Sequence, residues 1–191
     1  MKRILLVFIL MLSFQSLTRA DDIRDFEIEG ISIGDSALDF FDESDIKKNS
    51  KDYFKDKTYT PVQNDNYSFF KVYDAVDFSF KTGDNKYILH NINGILFYDN
   101  KDINECYKKM DKISSEIQSN INFIKKTNKI VSTHSADKTG KSKYTHVTFT
   151  LNDGYIVVTC YDYSVEHGSQ NHLSVAVDTK KFNEWVVSGI Y

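Results

Sequence analysis

The segment from Tyr161 to His172, "YDYSVEHGSQNH", concentrates ionisable side chains that can do chemistry. A carboxylate and two imidazoles can bind a divalent metal ion, and one imidazole can act as a general base. Polar side chains in a loop between strands are also ordinary, and no two histidines of this chain form a close His-x-His pair. The segment therefore offers a metal-binding protein or a hydrolase as an alternative function, with these candidates: Asp162, Glu166, His167 and His172.

A second segment, "SADKTGKS" from Ser135 to Ser142, ends like a phosphate-binding loop. The motif needs a glycine where Ser135 stands, and its lysine should open a helix whose N-terminus faces the phosphates. Here Lys141 and Ser142 lead into "YTHVTFTL", whose alternation is typical of a strand. We predict a solvated, lysine-rich hairpin loop and no nucleotide binding, and leave open a contact between these lysines and an anion or lipid headgroup.

Other catalytic patterns are missing from the sequence. There is no Gly-x-Ser-x-Gly elbow, and the paired acids of "DDIRDFEIE" and "DESD" read as solvated carboxylates. Aromatic residues alternate with charged ones in "YFKDKTYT" and "YSFFKVYD", as on a binding face. We therefore expect a non-enzymatic protein without a cofactor, which binds a small ligand or an envelope protein through its sheet or its aromatic loops.

The first 20 residues have the pattern of a secretory signal peptide. Lys2 and Arg3 precede the apolar run Ile4–Phe14, and small residues at Thr18 and Ala20 suit cleavage after Ala20. The run is shorter than the ~20 residues that span a bilayer. We predict a signal peptide at 1–20, a periplasmic or secreted location, and one domain at 21–191 without a transmembrane segment.

The charge of the predicted mature chain disfavours a nucleic-acid partner. Cleavage would remove Lys2, Arg3 and Arg19 and no acidic residue, which leaves 21 basic residues against 27 acidic ones and a formal charge of −6. Binding to phosphate backbones needs a basic surface.

Two cysteines, Cys106 and Cys160, remain after the predicted cleavage. Cys106 falls on the apolar face of a helical pattern, and Cys160 ends the alternating strand pattern that starts at Ile156. An even number of cysteines in an exported protein favours a disulfide. We predict the bond Cys106–Cys160, with two buried free thiols as the alternative.

The remaining patterns predict an α+β fold. Alternating segments joined by turns such as "NDG" indicate a largely antiparallel sheet of about five to six strands. A helix at about 101–125 should pack on this sheet, and short helices should lie near both termini, the first capped by Asp35. We expect the 21–66 part to be less regular.

Four segments resemble small exported proteins of AT-rich Gram-negative bacteria that have no assigned function: "IEGISIGDSALDFF", "NGILFYDNKDINECYKKMDKI", "THSADKTGKS" and "KKFNEW". The resemblance covers most of the chain and implies export and a shared fold. The shorter "ISIGDSALDF" is similar to a helix entry of β-lactamase-inhibitor-like domains, although this chain lacks their Leu-Gly-x-Pro-like helix ending and the lipid-bearing Cys of their lipoprotein members. That similarity implies envelope partners.

Overall fold

A computed structural model describes residues 22–52, 54–65, 70–98 and 103–188, so the predicted signal peptide at 1–20 lies outside it. Within these ranges the chain is α+β, with eight strands in one open antiparallel sheet and three α-helices, which confirms the predicted class. The strand count exceeds the predicted five to six. The strands are β1 Tyr59–Asn64, β2 Ala75–Lys81, β3 Leu89–Tyr98, β4 Lys125–Lys126, β5 Ile130–Thr133, β6 Lys143–Thr150, β7 Gly154–Asp162 and β8 Asn171–Thr179.

The sheet consists of two antiparallel meanders that meet where β3 pairs with β8. The strand order is β1-β2-β3-β8-β7-β6, and β4 and β5 both pair with the outer edge of β6. These two short strands are successive pieces of one interrupted edge, since the N–H of Thr127 between them still donates to the carbonyl of Thr148 at 3.0 Å. The predicted hairpin at "NDG" joins β6 to β7, where the Leu151 N–H donates to the Gly154 carbonyl.

The helices are α1 Glu43–Asn49, α2 Ile103–Asn120 and α3 Lys180–Val187. The predicted long helix at 101–125 was therefore wrong at its C-terminal end, because α2 stops at Asn120. Ile121 still packs in the core, but the Ile124 side chain is 65% exposed and its N–H donates to the carbonyl of Thr150. The buried apolar pattern thus extends one residue beyond the helix, to Ile121. From Ile124 onward the backbone pairs with β6 instead.

The N-terminal part also differs from its prediction. Ser36, rather than Asp35, caps a 3-10 turn at Ala37–Asp39, and α1 begins separately after Asp42. Tyr59–Asn64 forms β1, although 21–66 was expected to be less regular. Pro61 fits there because β1 is an edge strand, where a missing N–H costs no ladder hydrogen bond.

One face of the sheet carries the main apolar core. Helix α2 and the N-terminal segment pack on it; Phe41, for example, stacks on Phe78 of β2 with ring centroids 5.1 Å apart. Cys106 of α2 and Cys160 of β7 are fully buried on this face and form the predicted disulfide, with the sulfurs 2.01 Å apart. The bond closes a loop with a sequence separation of 54. By the chain-entropy relation, a loop of this length stabilises the folded state by about 4 kcal/mol. No helix in the described part of the chain is long and apolar enough to span a bilayer.

Candidate functional site

The face of the sheet opposite α2 is polar and aromatic rather than apolar. Side chains alternate between the two faces of a strand, and the register of pairing places them in rows across the sheet. One row runs from Gln63 through Asp77 to Asn93 and continues as Ala176 and Val157. A neighbouring row runs through Ser79, Asn91, Asp178 and Tyr155.

These rows form the floor of an open groove with a volume of about 500 Å³. That volume lies within the ~300–1,000 Å³ typical of small-molecule sites. Helix α3 bounds one end, because it turns back over this face after β8. Its Phe182 and Trp185 pack edge-on against Tyr59 and Phe54, with centroids 5.2 and 5.0 Å apart. The groove is therefore a built cavity and not a flat, solvated sheet.

Asp178 is the most deeply buried acid of the groove. The amide nitrogen of Asn91 donates to its carboxylate at 2.7 Å, and Ser79 lies 3.4 Å from the amide oxygen of Asn91. Burial raises the pKa of Asp178 to about 6, against the opposing effect of hydrogen bonds from Asn91 and Asn183. The Asp178 carboxyl is thus held inside a hydrogen-bonded network, and its burial favours the protonated form more than in water.

Asp77 is the second acid of the groove, on β2. Burial raises its pKa to about 7, opposed by a hydrogen bond from the backbone of Asn64 and reinforced by the nearby negative charge of Asp65. Close by in the sheet, the Ser174 hydroxyl donates to the amide oxygen of Asn93 at 2.7 Å. Two carboxyls with raised pKa values, on different strands and facing one cavity, are typical of a functional site.

Tyrosine and histidine rings occupy the other end of the groove face; we call this set the aromatic cluster. Tyr161 stacks on His172 with centroids 4.6 Å apart, and Tyr163 stacks on His167 at 4.8 Å. Burial lowers the pKa of three histidines of the cluster, which favours their neutral forms. The cluster consists of Tyr144, Tyr161, Tyr163, His134, His146, His167 and His172, and the three lowered values are those of His134, His146 and His172.

The residues predicted as metal candidates take part in stacking and ion pairing. Glu166 pairs with Lys141, and His172 Nδ1 lies 3.1 Å from the carbonyl of Gln170. Asp162 ends β7 opposite Lys143. Across the described ranges, no group of three or more His, Cys, Asp or Glu side chains is placed to hold a metal ion. Among these described residues, the fold therefore brings no third ligand to His167 and His172, as the alternative of a metal-binding protein would need.

The "SADKTGKS" loop is organised around its own carboxylate. Asp137 accepts hydrogen bonds from the backbone N–H and hydroxyl of Ser142 and from those of Thr139. These bonds hold the pKa of Asp137 well below its usual range, and the bonds from the Ser142 and Thr139 hydroxyls contribute most. The backbone N–H groups of Thr139 and Ser142 thus bind a side chain of the loop itself, and Lys141 leads into β6 as predicted.

Sequence reasoning missed the polar floor of the groove. Asp77 and Ser79 in "AVDFSF", and Asn91 and Asn93 in "HNING", stand at every second strand position opposite the apolar ones. That alternation identifies the second face of the sheet, but a solvent-exposed face and a buried binding face would show the same pattern. The property that separates the two cases is burial, which arises from tertiary packing and is absent from the local pattern.

Comparison of the chain with known protein families, curated proteins and solved structures found no match. The groove is therefore interpreted from its own chemistry.

Proposed function

We propose that this protein is an exported, non-enzymatic binding protein that takes a small ligand in the groove. The observation that supports this most is a set of polar side chains that are less than 10% exposed and yet line an open cavity: Ser79, Asn91, Thr159, Ser174 and Asp178. Polar side chains are costly to bury and need hydrogen-bond partners, and a bonded network of them that opens onto a cavity favours a site for a polar ligand.

Two further features support the export part of the proposal. Disulfides persist mainly in oxidising compartments, and Cys106 and Cys160 are bonded. The sequence of residues 1–20 has the pattern of a signal peptide. An exported binding protein can deliver its ligand to an envelope partner, which would join the two roles that the sequence suggests.

Thermal-shift screening against a library of small polar, charged and aromatic compounds tests the proposal. A ligand at 100 times its Kd stabilises the folded state by about 2.7 kcal/mol, which gives a clear shift of the midpoint. We expect at least one compound to shift wild type, and Thr159→Val, which removes a hydroxyl from the groove, to weaken that shift.

Thr145→Val is the matched control, because Thr145 is as buried as Thr159 but faces α2. The control should respond to the compound like wild type. A shift that survives Thr159→Val unchanged, or a library without a stabilising compound, would contradict the proposal.

A further inference from the structure

On the basis of the proposed function, we propose that the ligand of the groove is an uncharged saccharide. The inference rests on three properties of the lining: its charge, its mixture of hydrogen-bond donors and acceptors, and its apolar surfaces.

The charge of the lining excludes anionic ligands. Among the described residues that line the groove there is no lysine or arginine, whereas Asp77 and Asp178 both face it. A phosphate or carboxylate entering the groove would lose its hydration and gain no cationic partner, which is costly. Nucleotides, sugar phosphates and organic acids therefore fit poorly.

The hydrogen-bonding groups of the floor act as donors and as acceptors. The amide of Gln63 and the hydroxyl of Thr159 offer both. Asn91 and Asn93 each keep an amide hydrogen for a ligand, while Ser174 donates to Asn93 and keeps only its acceptor capacity. A saccharide hydroxyl likewise donates one hydrogen bond and accepts others. A ligand with several hydroxyls can thus form hydrogen bonds both to the donors and to the acceptors of the floor. An apolar ligand or a simple ion cannot do both.

Apolar surfaces lie beside this polar floor. Ala176 and Val157 continue the row that contains Asp77 and Asn93. The rings of Tyr144, Tyr155 and Tyr161 also line the groove. A pyranose ring has hydroxyls around its edge and C–H groups on its faces. The groove offers a partner for each, since tyrosine combines an apolar ring with a hydroxyl.

The acids favour a neutral ligand over a protonated amine, because the Asp178 carboxylate already accepts hydrogen bonds from Asn91 and Asn183. Burial raises the pKa of Asp77 to about 7, so its protonated form, which gives an amine no ion pair, is also populated near neutral pH. A protonated carboxyl donates a hydrogen bond to a sugar oxygen, and an ionised one accepts from a sugar hydroxyl. The same groove can therefore hold a saccharide in either state.

Calorimetric titration with defined probes tests the inference. The neutral probes are glucose, galactose, N-acetylglucosamine, maltose, cellobiose and chitobiose, and the charged probes are glucose 6-phosphate and spermidine. We expect one or more neutral probes to bind and both charged probes to fail. Thr159→Val should weaken the neutral probe about tenfold, the effect of losing about one hydrogen bond, while Thr145→Val leaves its Kd unchanged.

The possible results separate this inference from the proposed function. If only spermidine or glucose 6-phosphate binds and Thr159→Val weakens it, the groove is a binding site and the saccharide inference is wrong. If a neutral saccharide binds equally to wild type and Thr159→Val, the ligand lies elsewhere and both proposals fail. If no neutral probe binds while a library compound does so through Thr159, the saccharide inference alone is overturned.

Discussion

Replacing Asp77 with asparagine should stabilise the protein at about pH 8 and leave its stability nearly unchanged at about pH 3.5. Asparagine copies the shape and neutrality of the protonated carboxyl and keeps an oxygen that can accept from the Asn64 backbone. The variant therefore removes one quantity only, the free energy of ionising a carboxyl inside the groove.

The sign and size of the effect follow from linkage. Burial raises the pKa of Asp77 from 3.8 to about 7 in the folded state. Between those two values the unfolded chain loses its proton first, so wild-type stability falls as the pH rises from about 4 to 7. A difference of about three pKa units corresponds to about 4 kcal/mol, and water entering the open groove reduces this to about 2–4 kcal/mol.

Urea unfolding of wild type and Asp77→Asn across this pH range measures the effect. Asp39→Asn is the matched control, because Asp39 is exposed on the 3-10 turn and its substitution should give a small, constant difference. The stability gained by Asp77→Asn should grow between about pH 4 and 7 and then level off. A gain that is the same at both ends of the range would refute a buried, neutral Asp77.

Three further predictions concern the covalent link, a backbone contact and metals. Alkylation without reduction should label no thiol, and the Cys106→Ser, Cys160→Ser double variant should lose about 4 kcal/mol in urea unfolding; two labelled cysteines would disprove the bond. Gly154→Ala should cost about 3 kcal/mol or more, because a Cβ there would lie 2.1 Å from a backbone carbonyl of β8, and an unchanged urea midpoint would contradict that packing. Zinc or copper should not raise the thermal midpoint, and stoichiometric metal that is lost in a His167→Ala, His172→Ala double variant would show the opposite.

The sequence predicted the parts of the fold that depend on local periodicity. Cys106 and Cys160 each fall on an apolar face, and this placed α2 and β7 together before any contact was known. The C-terminal limit of α2 was overestimated, because apolar residues recur at helical spacing past Asn120 while the chain there turns to pair with β6 at Lys125–Lys126. That competition depends on a strand distant in sequence and is invisible in a local pattern.

The groove could be predicted only in outline. The positions of Asp77 and Asp178 follow from strand alternation, yet nothing local shows that α3 closes one end of the groove or that its Asn183 hydrogen-bonds to Asp178. Burial is the largest cause of the raised pKa of both acids, and burial depends on tertiary packing that no local pattern reveals. The histidine-rich loop was locally more conspicuous, but in the fold Glu166 is paired with Lys141 and His167 is stacked on Tyr163.

The side-chain amide signals of the groove in NMR spectra test the central claim most directly. The NH₂ groups of Gln63, Asn91 and Asn93 line the cavity, whereas that of Asn120 donates to the Glu116 carbonyl at the exposed end of α2. On titration with a ligand that stabilises the protein, the three groove signals should shift together and saturate while the Asn120 signal stays in place. Saturable binding that leaves all three groove signals unmoved would contradict a ligand site on this face of the sheet.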